Sequence, residues 1–164
     1  MDWESAYDNS AAVANSDRFF PQWEIDAKAF RDAWVDADAA ELDVAYGDHP
    51  RQKLDIFYPR GSEPTGLLVH VHGGYWMRTD KSVWSHFAEG ALQNGLAVAM
   101  PSYRLCPEVS IASITSDVSS AIAVAAKAVS GSIVLTGHSA GGHLVSRQVC
   151  RNAQLTPELS ARIK

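Results

Sequence analysis

Hydrophobic residues near the start of the chain recur at the spacing of one face of a helix. The stripe consists of Phe19, Trp23, Ala27, Phe30 and Trp34. Charged side chains occupy five of the eleven positions between them, as in an amphipathic helix, and Pro21 suits a first turn, where its missing N–H has no partner. We interpret the stripe as a packing face. The alternative is that its aromatic rings hold an aromatic ligand.

Beyond residue 40 the pattern changes to the alternation and continuous apolar runs that are typical of strands. The predicted strands are residues 42–46, 54–58, 66–72, 96–100 and 132–136. The predicted helices are residues 82–94, 111–129 and 142–152, and residues 155–164, which are polar and turn-like, could be a tail. Uninterrupted apolar strands favour a sheet that is covered on both faces. The order of strands and helices predicts an α/β fold with a largely parallel sheet and flanking helices.

Composition is that of one globular domain: 164 residues, 46% hydrophobic and 20% charged. We expect a single domain over residues 1–164, with a helical segment at 1–40 and a sheet core at 41–164. No apolar run approaches the ~20 residues of a membrane span, and the N-terminus does not resemble a secretory signal. Cys106 and Cys150 are expected to be free thiols. These features predict a cytoplasmic protein that does not bind membranes.

Net charge is −5, and the excess of acid lies at the start of the chain, where residues 1–45 hold 11 acidic and 3 basic side chains. An acidic segment repels a phosphate backbone, and the basic residues beyond it are scattered. Nucleic-acid binding is therefore not expected.

The strongest chemical motif is Gly137-x-Ser139-x-Gly141, which lies between a β-branched strand and a predicted helix. A serine on such a sharp turn is lifted out of the sheet, and small neighbours on either side prevent clashes. The same turn puts the backbone N–H of Ala140 at a helix N-terminus, where negative charge is stabilised. The motif predicts Ser139 as a nucleophile with backbone angles that are unusual for a residue other than glycine.

A second motif, His72-Gly73-Gly74-Tyr75-Trp76, directly follows the apolar strand at 66–72. Adjacent glycines let backbone N–H groups turn toward a ligand and approach it closely. Together with the Ala140 amide, these groups could stabilise the oxyanion of a tetrahedral intermediate. His72 is expected to brace this loop.

With these motifs the sequence resembles the α/β-hydrolases, in particular the hormone-sensitive-lipase-like esterases and the kynurenine formamidases. The motifs that carry the resemblance are Gly137-His138-Ser139-Ala140-Gly141-Gly142-His143-Leu144, Tyr103-Arg104-Leu105-Cys106-Pro107-Glu108, His72-Gly73-Gly74-Tyr75-Trp76 and Tyr7-Asp8-Asn9-Ser10. The resemblance implies Ser139 as the nucleophile, amides of Gly73, Gly74 or Tyr75 with Ala140 as the oxyanion hole, and Tyr75 and Trp76 as contacts of a small ester or amide substrate. It implies no cofactor. Tyr75 stands where many lipase-like relatives have a third glycine, so the choice of upstream amides stays open.

The catalytic acid and base are the main departure from the family pattern, in which both follow the serine. Glu158 is the only acidic residue after Ser139, and His143 is the only histidine. His143 is four residues along the predicted helix, so its side chain should point along that helix rather than at the hydroxyl. The other histidines show no zinc-ligand spacing, and no metal is expected.

Two classes of function follow. The first is a serine hydrolase that cleaves a carboxylic ester or an aryl formamide of the N-formylkynurenine type through an acyl-enzyme. In this case we expect that some C-terminal strands of the fold are missing from the chain and that the chain alone is poorly active. The alternative is a non-catalytic hydrolase-like module that binds a ligand or a partner chain. The open edge of the last strand would suit a partner or a homodimer.

Overall fold

The computed structural model describes residues 2–8 and 10–164, and its centre is a five-stranded sheet. The strands are β1 Ala40–Ala45, β2 Lys53–Phe57, β3 Gly66–Val71, β4 Leu96–Pro101 and β5 Ser132–Gly137, in the spatial order β1-β2-β4-β3-β5. The motif at residues 7–10 is described only in part, since residue 9 lies outside these ranges.

The sheet is mixed rather than uniformly parallel. β1 pairs with β2 and β2 with β4 in antiparallel fashion, whereas β3 runs parallel to both β4 and β5. The short turn between β1 and β2 requires antiparallel pairing, while the helical connections after β3 and β4 permit parallel pairing. The prediction of a largely parallel sheet therefore holds for β3, β4 and β5, and the glycine loop and the serine motif follow β3 and β5.

Helices flank the sheet on both faces, which confirms the predicted α/β fold. They are α1 Trp3–Tyr7, α2 Phe19–Asp36, α3 Glu89–Gln93, α4 Ile111–Ala125, α5 Ala140–Gln148 and α6 Pro157–Arg162. Because side chains alternate along a strand, Ala97 and Ala99 pack toward α4 and α5, and Val98 and Met100 toward α2 and α3. No described helix has the length and apolarity needed to cross a membrane.

The predicted packing face of α2 is buried against the sheet, as expected. Phe30 is almost fully buried and stacks on Trp34 with 4.2 Å between ring centroids. Trp23 is partly buried, and Phe19 is the most exposed of the four aromatic residues at 45%. The Trp34 indole N–H also donates to the Tyr58 carbonyl at 3.2 Å, which ties α2 to the end of β2.

The prediction of a single helix at 82–94 was wrong. This segment is two 3₁₀ turns, Lys81–Val83 and Ser85–Ala88, followed by α3, because Asp80 accepts from the Ser82 amide and begins a separate short turn. The segment 155–164, considered as a tail, contains α6, whose N-cap is Thr156, with a hydroxyl that accepts from the Leu159 amide. After α6, Ile163 forms an isolated parallel bridge with Ile133 of β5.

Candidate active site

Ser139 lies at the sharp turn between β5 and α5 with backbone angles φ 53° and ψ −116°. A positive φ is uncommon for a residue with a Cβ and is maintained only where the surroundings hold it. The side chain is exposed at the end of the parallel strands. The predicted position and unusual backbone angles of Ser139 are confirmed.

The two glycines of the elbow motif are required by close backbone contacts. A Cβ added to Gly141 would lie 1.9 Å from the Val71 carbonyl oxygen, and one added to Gly137 would lie 2.4 Å from the carbonyl carbon of Gly141. Side chains other than hydrogen therefore do not fit at either position. This packing holds the start of α5 against the end of β3, and it explains the spacing of the motif around Ser139.

The glycine loop after β3 lies directly against the elbow. A Cβ on Gly73 would be 2.8 Å from the His138 carbonyl oxygen and 3.1 Å from the Ser139 Cβ. Gly74 has φ 115°, and Tyr75 and Trp76 follow with φ 54° and 58°. Three successive positive φ values give the loop a tight reversal immediately beside the serine.

Backbone amides near Ser139 are left without protein acceptors. Among the residues that the structure describes, the N–H groups of Gly73, Gly74 and Ala140 donate to no protein atom. The Ala140 amide is at the first position of α5, where the helix dipole favours negative charge. The Gly74 carbonyl accepts from the amides of Met77 and Arg78 at 2.9 and 3.0 Å, which fixes the peptide that carries the Tyr75 amide. The four predicted oxyanion residues thus come from the two segments that meet at Ser139.

A cavity of about 450 Å³ opens beside Ser139. Its walls are mainly apolar, and five aromatic residues contribute to them: Phe19, Phe20, Trp23, Tyr75 and Trp84. The rings of Trp23 and Trp84 lie 5.1 Å apart, and Phe20 contacts Trp84 edge-on at 6.1 Å. Apolar walls of this kind bind the flat or aliphatic part of a small molecule.

The structure brings Tyr75 but not Trp76 to this cavity. The Trp76 ring instead meets His143 edge-on, with 5.4 Å between ring centroids, and its carbonyl accepts from the Cys106 amide at 2.8 Å. Tyr75 stays 41% exposed at the cavity wall. Of the two predicted substrate contacts, Tyr75 is therefore placed to touch a ligand in this cavity.

Cavity residues that sequence analysis did not select include Phe20, Trp84, Arg78 and Thr79. Trp84 lies between the two short turns that were predicted as one helix, so its direction could not be read from helical spacing. Phe20 adjoins the stripe, which was the only sequence signal for it. Arg78 and Thr79 follow the glycine loop, and their positions depend on its positive φ values.

His72 braces the glycine loop, as expected from the sequence. It is buried, stacks on the Tyr103 ring at 4.2 Å, and its Nδ1–H donates to the Gly73 carbonyl at 2.7 Å. Burial lowers the pKa of His72 to about 4, so the ring is neutral at pH 7. Burial also lowers the pKa of His70 to about 4, with a smaller contribution from nearby His138.

No histidine in the described ranges forms a hydrogen bond with the Ser139 hydroxyl. His143 is exposed on α5 beside Trp76, and Glu158 is exposed in the first turn of α6. His49 contacts Glu108 at 3.0 Å, away from the cavity. No group of three potential metal ligands is found in residues 2–8 and 10–164. The described residues therefore supply a candidate nucleophile and amide donors, but no base in contact with that nucleophile.

Comparison with known proteins gives consistent relatives. The family model described as BD-FAE matches residues 54–160. Kynurenine formamidase of Danio rerio is 32% identical over 108 residues, which cover 64% of this chain and 37% of that protein. A probable isoprenylcysteine alpha-carbonyl methylesterase of Oryza sativa is 32% identical over 110 residues, covering 63% of this chain and 27% of that protein.

Among solved structures, a protein from a Silicibacter species provisionally described as a thioesterase superposes with a TM-score of 0.94 and 49% sequence identity. The match covers 100% of this chain and 61% of that chain. The chain thus spans less than two thirds of the length of the relatives that it matches. Because the family model covers more than half of the chain and the fold matches that of the solved relative, this chain belongs to the BD-FAE family of α/β-hydrolase-like esterases.

Proposed function

We propose that this chain carries the nucleophile and the oxyanion site of a serine hydrolase that cleaves a carboxylic ester or an aryl formamide. The observation that carries the proposal is the placement of Ser139: an exposed serine at φ 53°, on a cavity wall, beside the amides of Gly73, Gly74 and Ala140, which donate to no atom of the described protein. The names of the relatives, a formamidase and a methylesterase, support the two substrate classes.

The proposed reaction follows the acyl-enzyme route. The Ser139 oxygen attacks the carbonyl carbon of the substrate, its proton passes to a base, and the carbonyl oxygen becomes an oxyanion. The amides of Gly74 and Ala140, with Gly73 or Tyr75, stabilise this charge. The oxyanion then collapses, the leaving alcohol or amine takes a proton, and the acyl group stays on Ser139 until water releases it as an acid.

The aromatic cavity is the proposed site for the organic part of the substrate. Trp23 and Trp84 pack on each other with 5.1 Å between ring centroids, and together they would form one aromatic wall against which the flat leaving group of an aryl formamide can stack. The same walls also suit the hydrocarbon part of an ester, so the cavity supports both substrate classes.

Slow turnover is expected for this chain alone, because no described histidine contacts Ser139. In a serine protease, the oxyanion site and binding alone keep roughly 10³–10⁴ of rate over water after the triad is lost. Loss of the base slows both acylation and release of the acyl group by water. An activated ester still acylates, because its leaving group needs no proton, so with such an ester the acyl-enzyme should accumulate.

Acylation is tested with p-nitrophenyl acetate followed by mass spectrometry of peptides. We expect one acetyl group on Ser139, accumulating faster when imidazole is added as an external base. Ser146→Ala is the matched control, because Ser146 is also an exposed serine of α5 and lies outside the cavity. The proposal is wrong if Ser139→Ala is acetylated at the same rate and on the same peptides as the wild type. A non-catalytic binding module would then be the better account.

A further inference from the structure

The carbonyl of Gly73 receives two hydrogen bonds from side chains of its own loop. His72 Nδ1–H donates to it at 2.7 Å, and the Thr79 hydroxyl donates to it at 2.8 Å. The Thr79 oxygen also lies 3.0 Å from His72 Nδ1. Together these three groups form a closed triangle, with the Gly73 carbonyl at one corner.

Holding this carbonyl also orients an amide near Ser139. In a planar trans peptide the C=O and the N–H of the next residue point in opposite directions. The Gly74 N–H must therefore point away from His72 and Thr79. It is one of the amides that donate to no atom of the described protein.

Thr79 holds an unfavourable backbone conformation at this position. Its φ is 69°, in the left-handed region, where a β-branched residue is an outlier. Such strain persists only where surrounding contacts impose it, and it clusters at functional sites. Glycine would fit this backbone without strain, but it has no hydroxyl to donate to Gly73.

Arg51 provides the contact that imposes the strained conformation. Its Nη2 donates to the Thr79 carbonyl at 2.5 Å, and its Nε donates to the Tyr103 carbonyl at 2.8 Å. The Tyr103 hydroxyl in turn donates to the His72 carbonyl at 2.9 Å. One guanidinium thus links Thr79 to the residue that supports His72.

We propose that Thr79 is a positioning residue: its hydroxyl holds the Gly73–Gly74 peptide so that the Gly74 amide can stabilise negative charge on a substrate atom bound to Ser139. The inference rests on the proposed function of Ser139 as a nucleophile. Thr79 does not itself touch the reacting atoms. It acts through the orientation of a neighbouring amide.

Phenylboronic acid is the probe, because it tests the oxyanion site without requiring turnover. Boron accepts a lone pair of the Ser139 oxygen, the serine proton is released to solvent, and the adduct is a tetrahedral anion. Binding is followed by the fluorescence of Trp23 and Trp84 in the cavity wall. Benzyl alcohol, a neutral ligand of similar shape, reports on the aromatic cavity alone.

We expect Thr79→Val to weaken boronate binding about tenfold, because the amide donor is misaligned. Thr79 also lines the cavity, but valine has nearly the same shape, so benzyl alcohol binding should change by less than about twofold. Thr79→Ser keeps the hydroxyl and should bind boronate like the wild type. Thr79→Gly removes both the strain and the hydroxyl, so it should bind boronate as weakly as Thr79→Val without a lower melting temperature. Thr65→Val is the matched control, because it removes a similar hydroxyl-to-carbonyl bond, 3.1 Å long to Gly95, remote from the site.

Several outcomes would overturn the role of Thr79. The first is that Thr79→Val binds boronate as tightly as the wild type does. The second is that Thr79→Ser binds boronate as weakly as Thr79→Val. The third is that Thr79→Val loses affinity for benzyl alcohol by the same factor as for boronate, which would indicate a merely structural residue. If Thr79→Val does not fold, the Ser and Gly variants decide between these results. Equal boronate affinity of wild type and Ser139→Ala would instead contradict the proposed nucleophile, so the two failures are distinguishable.

Discussion

Gly141 is the position where one added methyl group should most disturb the elbow. A Cβ there would lie 1.9 Å from the Val71 carbonyl oxygen and 2.6 Å from that of His72. Ordinary contact needs at least about 3.4 Å, so α5 and the end of β3 must separate by more than an ångström. The Val71 carbonyl also accepts the His138 amide at 3.1 Å, and that hydrogen bond would break.

The cost of Gly141→Ala can be worked from these contacts. Overpacking against rigid backbone costs about 3 kcal/mol or somewhat more, and the lost hydrogen bond adds about 1 kcal/mol. Replacing glycine by alanine in a helix returns about 1 kcal/mol. We therefore expect a net loss of about 3 kcal/mol in the free energy of unfolding, a large share of the 5–15 kcal/mol that is typical of a domain.

Urea denaturation followed by circular dichroism measures this loss. Gly90→Ala is the matched control, because Gly90 is also in a helix and an added Cβ meets nothing within 4 Å. That variant should be as stable as the wild type or slightly more stable. If Gly141→Ala and Gly90→Ala unfold at the same urea concentration, the close packing of the elbow against β3 is wrong.

Three further changes have defined outcomes. Asp117→Ala should cost about 2 kcal/mol in unfolding free energy, because it removes a buried carboxylate that accepts from the Arg104 guanidinium at 2.6 Å, from the Arg104 amide and from the Gln52 side chain; denaturation no easier than in wild type would contradict this. Lowering the pH from 7 to 4 should reduce the free energy of unfolding, because His70 and His72 have pKa values near 4 in the folded protein and ~6.5 in the unfolded chain. The unfolded chain therefore binds protons first, and each histidine favours it by about 3 kcal/mol at pH 4. A flat stability profile between pH 7 and 4 would refute this. Trp23→Ala should weaken benzyl alcohol binding severalfold by removing one cavity wall, and unchanged affinity in a titration would remove Trp23 from the site.

The fold and the elbow could be predicted because local chemistry determines them. Gly137, Ser139 and Gly141 carry the steric requirement of the turn within five residues, and strand–helix alternation indicates the layers. The antiparallel pairing of β2 with β4 depends instead on which strand edge the β1–β2 unit joins. This edge is determined by contacts between residues far apart in the sequence, which the periodicity along the chain does not predict.

The aromatic cavity was only partly predictable for a similar reason. The helical stripe indicated a buried face, but it did not show that Phe19 and Trp23 would meet Trp84 across the cavity, since that meeting depends on how α2 packs on the 3₁₀ turns. Thr79 gave no sequence signal either. Its contact with Gly73 exists only because the intervening residues reverse direction at positive φ values.

Ser139 and the neighbouring amides form, in our proposal, one oxyanion-stabilising site. The most direct measurement is a crystal structure of the protein after reaction with an alkyl p-nitrophenyl phosphonate. We predict a covalent bond between phosphorus and the Ser139 oxygen, with the phosphoryl oxygen within about 3 Å of the amide nitrogens of Gly74 and Ala140. A phosphonate bonded to another residue, or one on Ser139 whose phosphoryl oxygen points to solvent, would contradict the account.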